Sequence, residues 1–261
     1  EAFLALRAGR LSPAVHTDER GRLRGFLRAL VDLGVVAASP AADLPPASRP
    51  PYGLPLVLST DAVARLLAAP ACPPDAGPLV QATALRDRAL VELLYGLGLR
   101  ASEAGALRLV DLDLAGHAVL VRRAKRGGEV ALPLPPSCAP PLGAYVERAR
   151  PLLAARGQGR DQGQLLLTRT GTPLDPRRVA EAVARVAARA GLRAHPHALR
   201  RAVASHLVRQ GAAVTAVQAL LGHQRLDTTA VYVDVDRDDL RRAVDVLERL
   251  RAGRQGPSGE A

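Results

Sequence analysis

Apolar residues recur at three- and four-residue spacing through most of this chain and alternate in only one stretch. Leu23, Phe26, Leu27, Leu30 and Leu33 mark one face of a helix within residues 1–36, with Arg20, Arg22, Arg24 and Arg28 between them. From 37 to 58 the pattern fails, and six prolines among alanines read as a linker. Periodicity resumes after Ser59-Thr60-Asp61, an N-cap signal ahead of AVARLLA. A helix is predicted from about Leu85 to Tyr95, stopping at Gly96 or Gly98. Ser102 is the expected N-cap of a short helix through Leu107.

His117–Arg123 and Glu129–Leu134 read as two strands around the turn AKRGG, and the run LLLT at 165–168 predicts a third strand. Further helices are expected over 140–155, from Asp175-Pro176 to Ala190, over His197–Gln210, over Val214–Leu221 and over Asp238–Arg251. Gly191, Gly211 and Gly222 stand just past the ends of three of them. Asp227 or Thr228 can cap a short helix carrying Tyr232. The fold class expected is mainly α with a small antiparallel sheet (α+β). The segments expected are a partial N-terminal helical domain (1–40), a linker (41–58), a main domain (59–252) and a disordered tail (253–261).

Composition narrows the function. At 261 residues the chain is long enough for one large or two modest domains. Its net charge of +11 calls for a polyanionic partner. An anionic membrane is the competing partner, but no stretch approaches the ~18 apolar residues of a spanning helix, and no secretory signal is expected. Aromatic residues are 2%, too few for base-stacking platforms, so double-stranded DNA held through its phosphates is the expected partner. Cys72 and Cys138 are far apart, which fits a reducing, cytoplasmic setting and excludes a four-cysteine metal framework. The chain has no methionine, so residue 1 is not expected to be the natural start, and the first part of the N-terminal domain is expected to be missing.

Charge usage points to the chemistry. Only one of the 36 basic residues is a lysine, Lys125, and it lies in the hairpin turn. Where arginine serves almost everywhere else, a retained lysine suits a task that requires releasing a proton. Around it, in chain order, stand Arg100, His197, Arg200, His223 and Tyr232. His197 and Arg200 are three apart on one helix and share a face. Arg100 follows a glycine-marked helix stop, where its side chain can turn into a cleft. Two arginines from separate elements can grip the non-bridging oxygens of a phosphodiester and stabilise the charge that builds in a pentavalent transition state. A phenol attacks poorly at its ordinary pKa near 10, so Tyr232 needs a base or a strong positive field. The departing sugar oxygen needs a proton, which Lys125 can supply from the hairpin.

Three segments carry a resemblance: GLGLRASEAGALRL (96–109), HPHALRRAVASHLVRQGAAVTAVQALLGH (195–223) and RLDTTAVYVDV (225–235). Over about residues 59–250 the chain resembles the catalytic domain of tyrosine recombinases, the phage-integrase and Xer-type family. The resemblance implies that Arg100, Arg200, His197 and His223 surround a scissile phosphate. It implies that Tyr232 forms a 3′-phosphotyrosine link and that Lys125 is the general acid toward the 5′ oxygen. Glu103 matches a supporting carboxylate. Residues 1–36 resemble the later part of a DNA-clamping domain. The resemblance also implies no metal, no ATP and no other cofactor, and a homo- or hetero-tetramer on DNA with a second recombinase. Asp238–Arg251 is then expected to dock on a neighbouring subunit through Leu240, Val244, Leu247 and Leu250, the alternative being its own domain. Two positions depart from the pattern: Arg201 stands where the box has a second histidine, and Val130 where arginine or a polar residue is common. The competing readings are a non-catalytic or inactivated DNA-binding protein, with 197–210 and 214–221 as a helix-turn-helix, and a type IB topoisomerase.

Overall fold

The structure is a computed structural model that describes residues 13–38, 57–123, 128–222 and 237–252. The chain divides into two compact units, Glu1–Leu56 and Val57–Ala261.

The first unit contains α1 (Pro13–Asp32), a single helix of 20 residues. Gly34 follows it in the left-handed region at φ +70, which turns the chain after the last helical carbonyls. Of the expected stripe, Leu23, Leu27 and Leu30 are half-buried, whereas Phe26 and Leu33 are exposed.

The second unit is built round α3 (Pro78–Gly96), preceded by α2 (Thr60–Ala68). Ser59 caps α2 as its sequence predicts, accepting from the Ala62 N–H at 3.1 Å. α3 starts earlier than its apolar spacing suggested, because Pro78 opens it at a position that needs no N–H. Leu90, Val91, Leu93 and Leu94 are fully buried along with Arg86, Asp87 and Glu92, so α3 is buried nearly all round and sits at the centre. Its buried charges are paired: Arg86 donates from Nε to Asp87 (2.9 Å) and from Nη1 to the Leu167 carbonyl (3.0 Å).

After α4 (Ala101–Ala106) comes a three-stranded antiparallel sheet in the order β1 (Leu112–Asp113), β2 (Ala118–Arg123), β3 (Gly128–Pro133). Arg122 faces Glu129 across the β2–β3 pair and donates to it at 2.9 Å. The predicted strand at 165–168 is not in this sheet. The Leu165 N–H donates to Leu107 O (2.8 Å), its carbonyl accepts from the Tyr145 hydroxyl (2.9 Å), and Leu167 N–H donates back to that hydroxyl (3.1 Å). Loop and side-chain partners thus satisfy a backbone that a strand neighbour would otherwise serve. Burial pushes the Tyr145 phenol up to about 12, so it stays neutral in this bridging role.

The helix expected over 140–155 is interrupted. α5 (Ala139–Ala144) passes through a π turn (Tyr145–Ala149) into α6 (Arg150–Ala155). Pro151 has no N–H for the carbonyl four residues back, and the Arg150 N–H reaches the Tyr145 carbonyl instead, so the wider turn absorbs the proline. α7 (Pro176–Arg189) is capped by Asp175, which accepts from the Arg178 N–H at 2.8 Å.

α8 (Pro196–Arg209), α9 (Val214–Leu221) and α10 (Arg237–Ala252) complete the unit. α10 lies on its own domain, against α8, α9 and β3, with Leu240, Val244 and Leu247 buried. Its last turn is fastened by polar contacts: Glu248 accepts from the Ser137 N–H (3.0 Å) and hydroxyl (2.6 Å). Arg251 pairs with the Glu92 carboxylate and the Ser137 hydroxyl, and lies 5.4 Å over the Tyr95 ring. Leu240, Val244 and Leu247 of the expected stripe thus pack against their own domain, with Leu250 partly buried beside them. No helix among the described residues is long and apolar enough to cross a membrane.

Candidate active site

A glycine-dependent turn brings the site together. After α3, Gly98 takes φ +62, and a Cβ there would lie 2.3 Å from Leu221 Cδ2, so only glycine fits against the end of α9. The chain then runs through buried Leu99 to Arg100, which, rather than Ser102, is the N-cap residue of α4. Glu103 accepts from the Arg100 backbone N–H at 2.8 Å and from its Nη1 at 2.6 Å. Arg100 Nη2 donates to the Gly222 carbonyl at 3.1 Å. The Arg100 side chain keeps 40% exposure, whereas Glu103 keeps 6%, so the carboxylate anchors a guanidinium that remains accessible.

α8 supplies the second group. His195 caps it, accepting from the Ala198 N–H at 3.3 Å, and its ring lies parallel to that of His197, 6.4 Å away. Arg200 points inward, donating from Nη1 to the Gly98 carbonyl (2.6 Å) and from Nη2 to the Leu221 carbonyl. Its Nη1 is 3.8 Å from Glu103 Oε2, so one buried carboxylate faces both arginines. Burial, and then the neighbouring Arg100, push Arg200 down to about 10, leaving it charged at neutral pH. Burial, followed by the charges of Arg201, His195, Arg200 and Arg100, holds His197 below the ordinary imidazole value. In this surplus of positive charge, His197 is a neutral imidazole near pH 7 that an arriving phosphate can convert to a cation.

The structure thus brings Arg100, Glu103, His197 and Arg200 together. Lys125, His223 and Tyr232 lie outside the described residues. Sequence reasoning missed Arg123, the last residue of β2. It donates from Nη1 to the Ala219 carbonyl (3.0 Å) and from Nη2 to the Leu220 carbonyl (2.6 Å) at the end of α9. No pattern marks it among so many arginines, since its partners are almost a hundred residues away in the chain. His206, on the same helix as His197, does not face the site. It bridges the Tyr95 hydroxyl and the Leu58 carbonyl, each at 3.0 Å. Among the described residues no three His, Cys, Asp or Glu side chains group as a metal site.

The phage integrase family matches residues 57–238 of this chain. The chain belongs to the phage integrase family. It is 34% identical over 236 residues to the tyrosine recombinase XerC of Myxococcus xanthus, covering 90% of this chain and 76% of that protein. It shares its fold with the XerH site-specific recombinase bound to a palindromic difH substrate (TM-score 0.65, 21% identity, covering 95% and 71% of the two chains). It likewise shares the fold of the lambda integrase tetramer bound to a Holliday junction (TM-score 0.57, 18% identity, covering 87% and 61%). The protein is a tyrosine-type site-specific recombinase.

Proposed function

We propose that this recombinase cleaves and rejoins duplex DNA through a covalent 3′-phosphotyrosyl link formed by Tyr232, without metal or ATP. The observation that carries the reading is the meeting of Arg100 and Arg200 on Glu103 and on the two carbonyls directly before His223, with His197 on the same helix as Arg200. In this reading Arg100 and Arg200 hold the non-bridging oxygens of the scissile phosphate as charge builds on them. Tyr232 attacks phosphorus, and the bond to the 5′ oxygen breaks as Lys125 protonates it. The phenolic proton passes to a neutral His223 imidazole as the new bond forms, while His197, which takes up a proton beside the phosphate, donates to a non-bridging oxygen. The new phosphotyrosyl ester keeps the energy of the bond it replaces, so rejoining needs no nucleotide. DNA duplex is the partner that the net charge of +11 favours, and the tetramer of lambda integrase on a Holliday junction supports assembly of four subunits, alike or paired with a second recombinase.

A plasmid carrying two directly repeated candidate sites, drawn from palindromes in the flanking genome, tests this reading in EDTA and without ATP. Resolution into two circles is expected. Relaxation without exchange would indicate a topoisomerase instead, and activity that returns only with magnesium would overturn the metal-free mechanism.

A further inference from the structure

Three arginines from separate elements converge on one helix end. An α-helix leaves its last carbonyls without intrahelical partners and carries partial negative charge there. At the end of α9, Ala219 and Leu220 accept from Arg123, Leu221 accepts from Arg200, and Gly222 accepts from Arg100. Four consecutive carbonyls therefore take guanidinium N–H groups from the end of β2, from α8 and from the N-cap of α4.

Arg123 is the member whose place in the chain is most informative. It pairs with Gly128 across the hairpin and is the last paired residue of β2, two positions before Lys125. Its guanidinium lies against Gly222, the residue directly before His223. Gly222 is in the left-handed region (φ 62, ψ 47), and a Cβ on it would stand 2.4 Å from Arg123 Nη1 and 2.7 Å from its Cζ. The bare glycine and the flat guanidinium thus fit each other. A left-handed glycine already closes this helix with its own N–H, which bonds to Ala219 O. A third cation is not needed to end it, and Arg123 adds to the charge that depresses its neighbour Arg200.

We infer that Arg123 is a positioning residue of the recombinase site: it ties the strand that leads to Lys125 to the helix end that leads to His223. The inference rests on the roles proposed above for those two residues. Lysine in its place keeps the charge but has a single ammonium with no planar fork to span two adjacent carbonyls.

The test is a double-mutant cycle on single-turnover formation of the covalent protein–DNA species, using a nicked site at which the wild type reacts. Arg123→Ala is expected to slow cleavage about tenfold or more, with DNA affinity changed by less than about threefold, and Arg123→Lys to remain slow. In a Lys125→Ala/His223→Ala background, adding Arg123→Ala is expected to cost less than about threefold, because nothing remains to be positioned. An equal loss in both backgrounds would show that Arg123 acts independently of them and would overturn the inference, as would full activity of Arg123→Ala. Melting temperatures accompany each variant, and where Arg123→Ala fails to fold, Arg123→Lys carries the same cycle. If Lys125→Ala and His223→Ala each cleave at the wild-type rate, the site assignment has failed and the inference falls with it. That failure is read from the single variants and the other from the cycle.

Discussion

Replacing Arg251 with alanine is the sharpest probe of how α10 is held on its own domain. The side chain is 14% exposed, and its Nη2 pairs with Oε2 of Glu92, a carboxylate that is 2% exposed. The other oxygen of Glu92 is served by Arg88, whose Nη2 lies 2.8 Å away, so Arg251→Ala leaves Oε2 with only the weak Cys138 thiol donor at 3.7 Å rather than stripping the whole carboxylate. Orphaning that charged acceptor costs about 2 kcal/mol, less than the ~3–5 expected when a buried ion loses its only partner. Losing the guanidinium over Tyr95 adds about 1 kcal/mol. A total near 3 kcal/mol corresponds to a fall in melting temperature of about 6–12 °C for a unit of this size. The assay is thermal unfolding of the wild type, Arg251→Ala, Glu92→Gln and the double variant, with limited proteolysis to report release of α10. The double variant is expected to be more stable than the sum of the single losses predicts, since each partner removes the other's penalty. A melting temperature for Arg251→Ala within about 1 °C of wild type, with an additive cycle, would refute the fastening described here.

Lys125→Ala is expected to slow cleavage far more than binding, and a substrate with sulfur at the 5′ bridging position, whose leaving group needs no proton, is expected to restore it; no restoration contradicts the general-acid role. DNA affinity is expected to rise as pH falls from about 8 to about 6, because His197 has a depressed pKa in the free protein and takes up a proton beside a phosphate; His197→Gln should flatten that dependence. The stability linkage of His197 has its own sign: the unfolded chain takes the proton first, so its share of stability is lost as pH falls from about 6.5 toward the depressed folded value. Binding is expected to weaken steeply with salt, with a log–log slope near 0.9 per phosphate contact, and a flat dependence would contradict a phosphate-held complex.

Local signals were legible where they rest on a few adjacent residues. Ser59 and Asp175 cap their helices as their sequences indicate, and α9 spans Val214–Leu221 with Gly222 left-handed beyond it. The run at 165–168 has strand composition but pairs only through isolated antiparallel bridges, Leu167 with Pro173 and the adjoining Gln164 with Arg108, while the Tyr145 hydroxyl serves Leu165 and Leu167. The N-cap of α4 was misplaced at Ser102 because the cap geometry is set by Glu103 reaching back to the Arg100 N–H. At the site, the i, i+3 spacing of His197 and Arg200 marked a shared helix in advance. Their relation to Arg100 depends on Gly98 and on the end of α9, contacts made over a hundred and more residues. Arg123 escaped notice for the same reason: its identity matters only through carbonyls on a distant helix.

In the proposed reaction Tyr232 becomes covalently joined to DNA. Nicked suicide DNA, incubated with wild type and Tyr232→Phe and resolved on a denaturing gel, with the adduct mapped by tandem mass spectrometry, tests it directly. A shifted band is expected in the wild type only, with a 3′-linked nucleotide on Tyr232. A band that persists in Tyr232→Phe, or an adduct on any other residue, would contradict it.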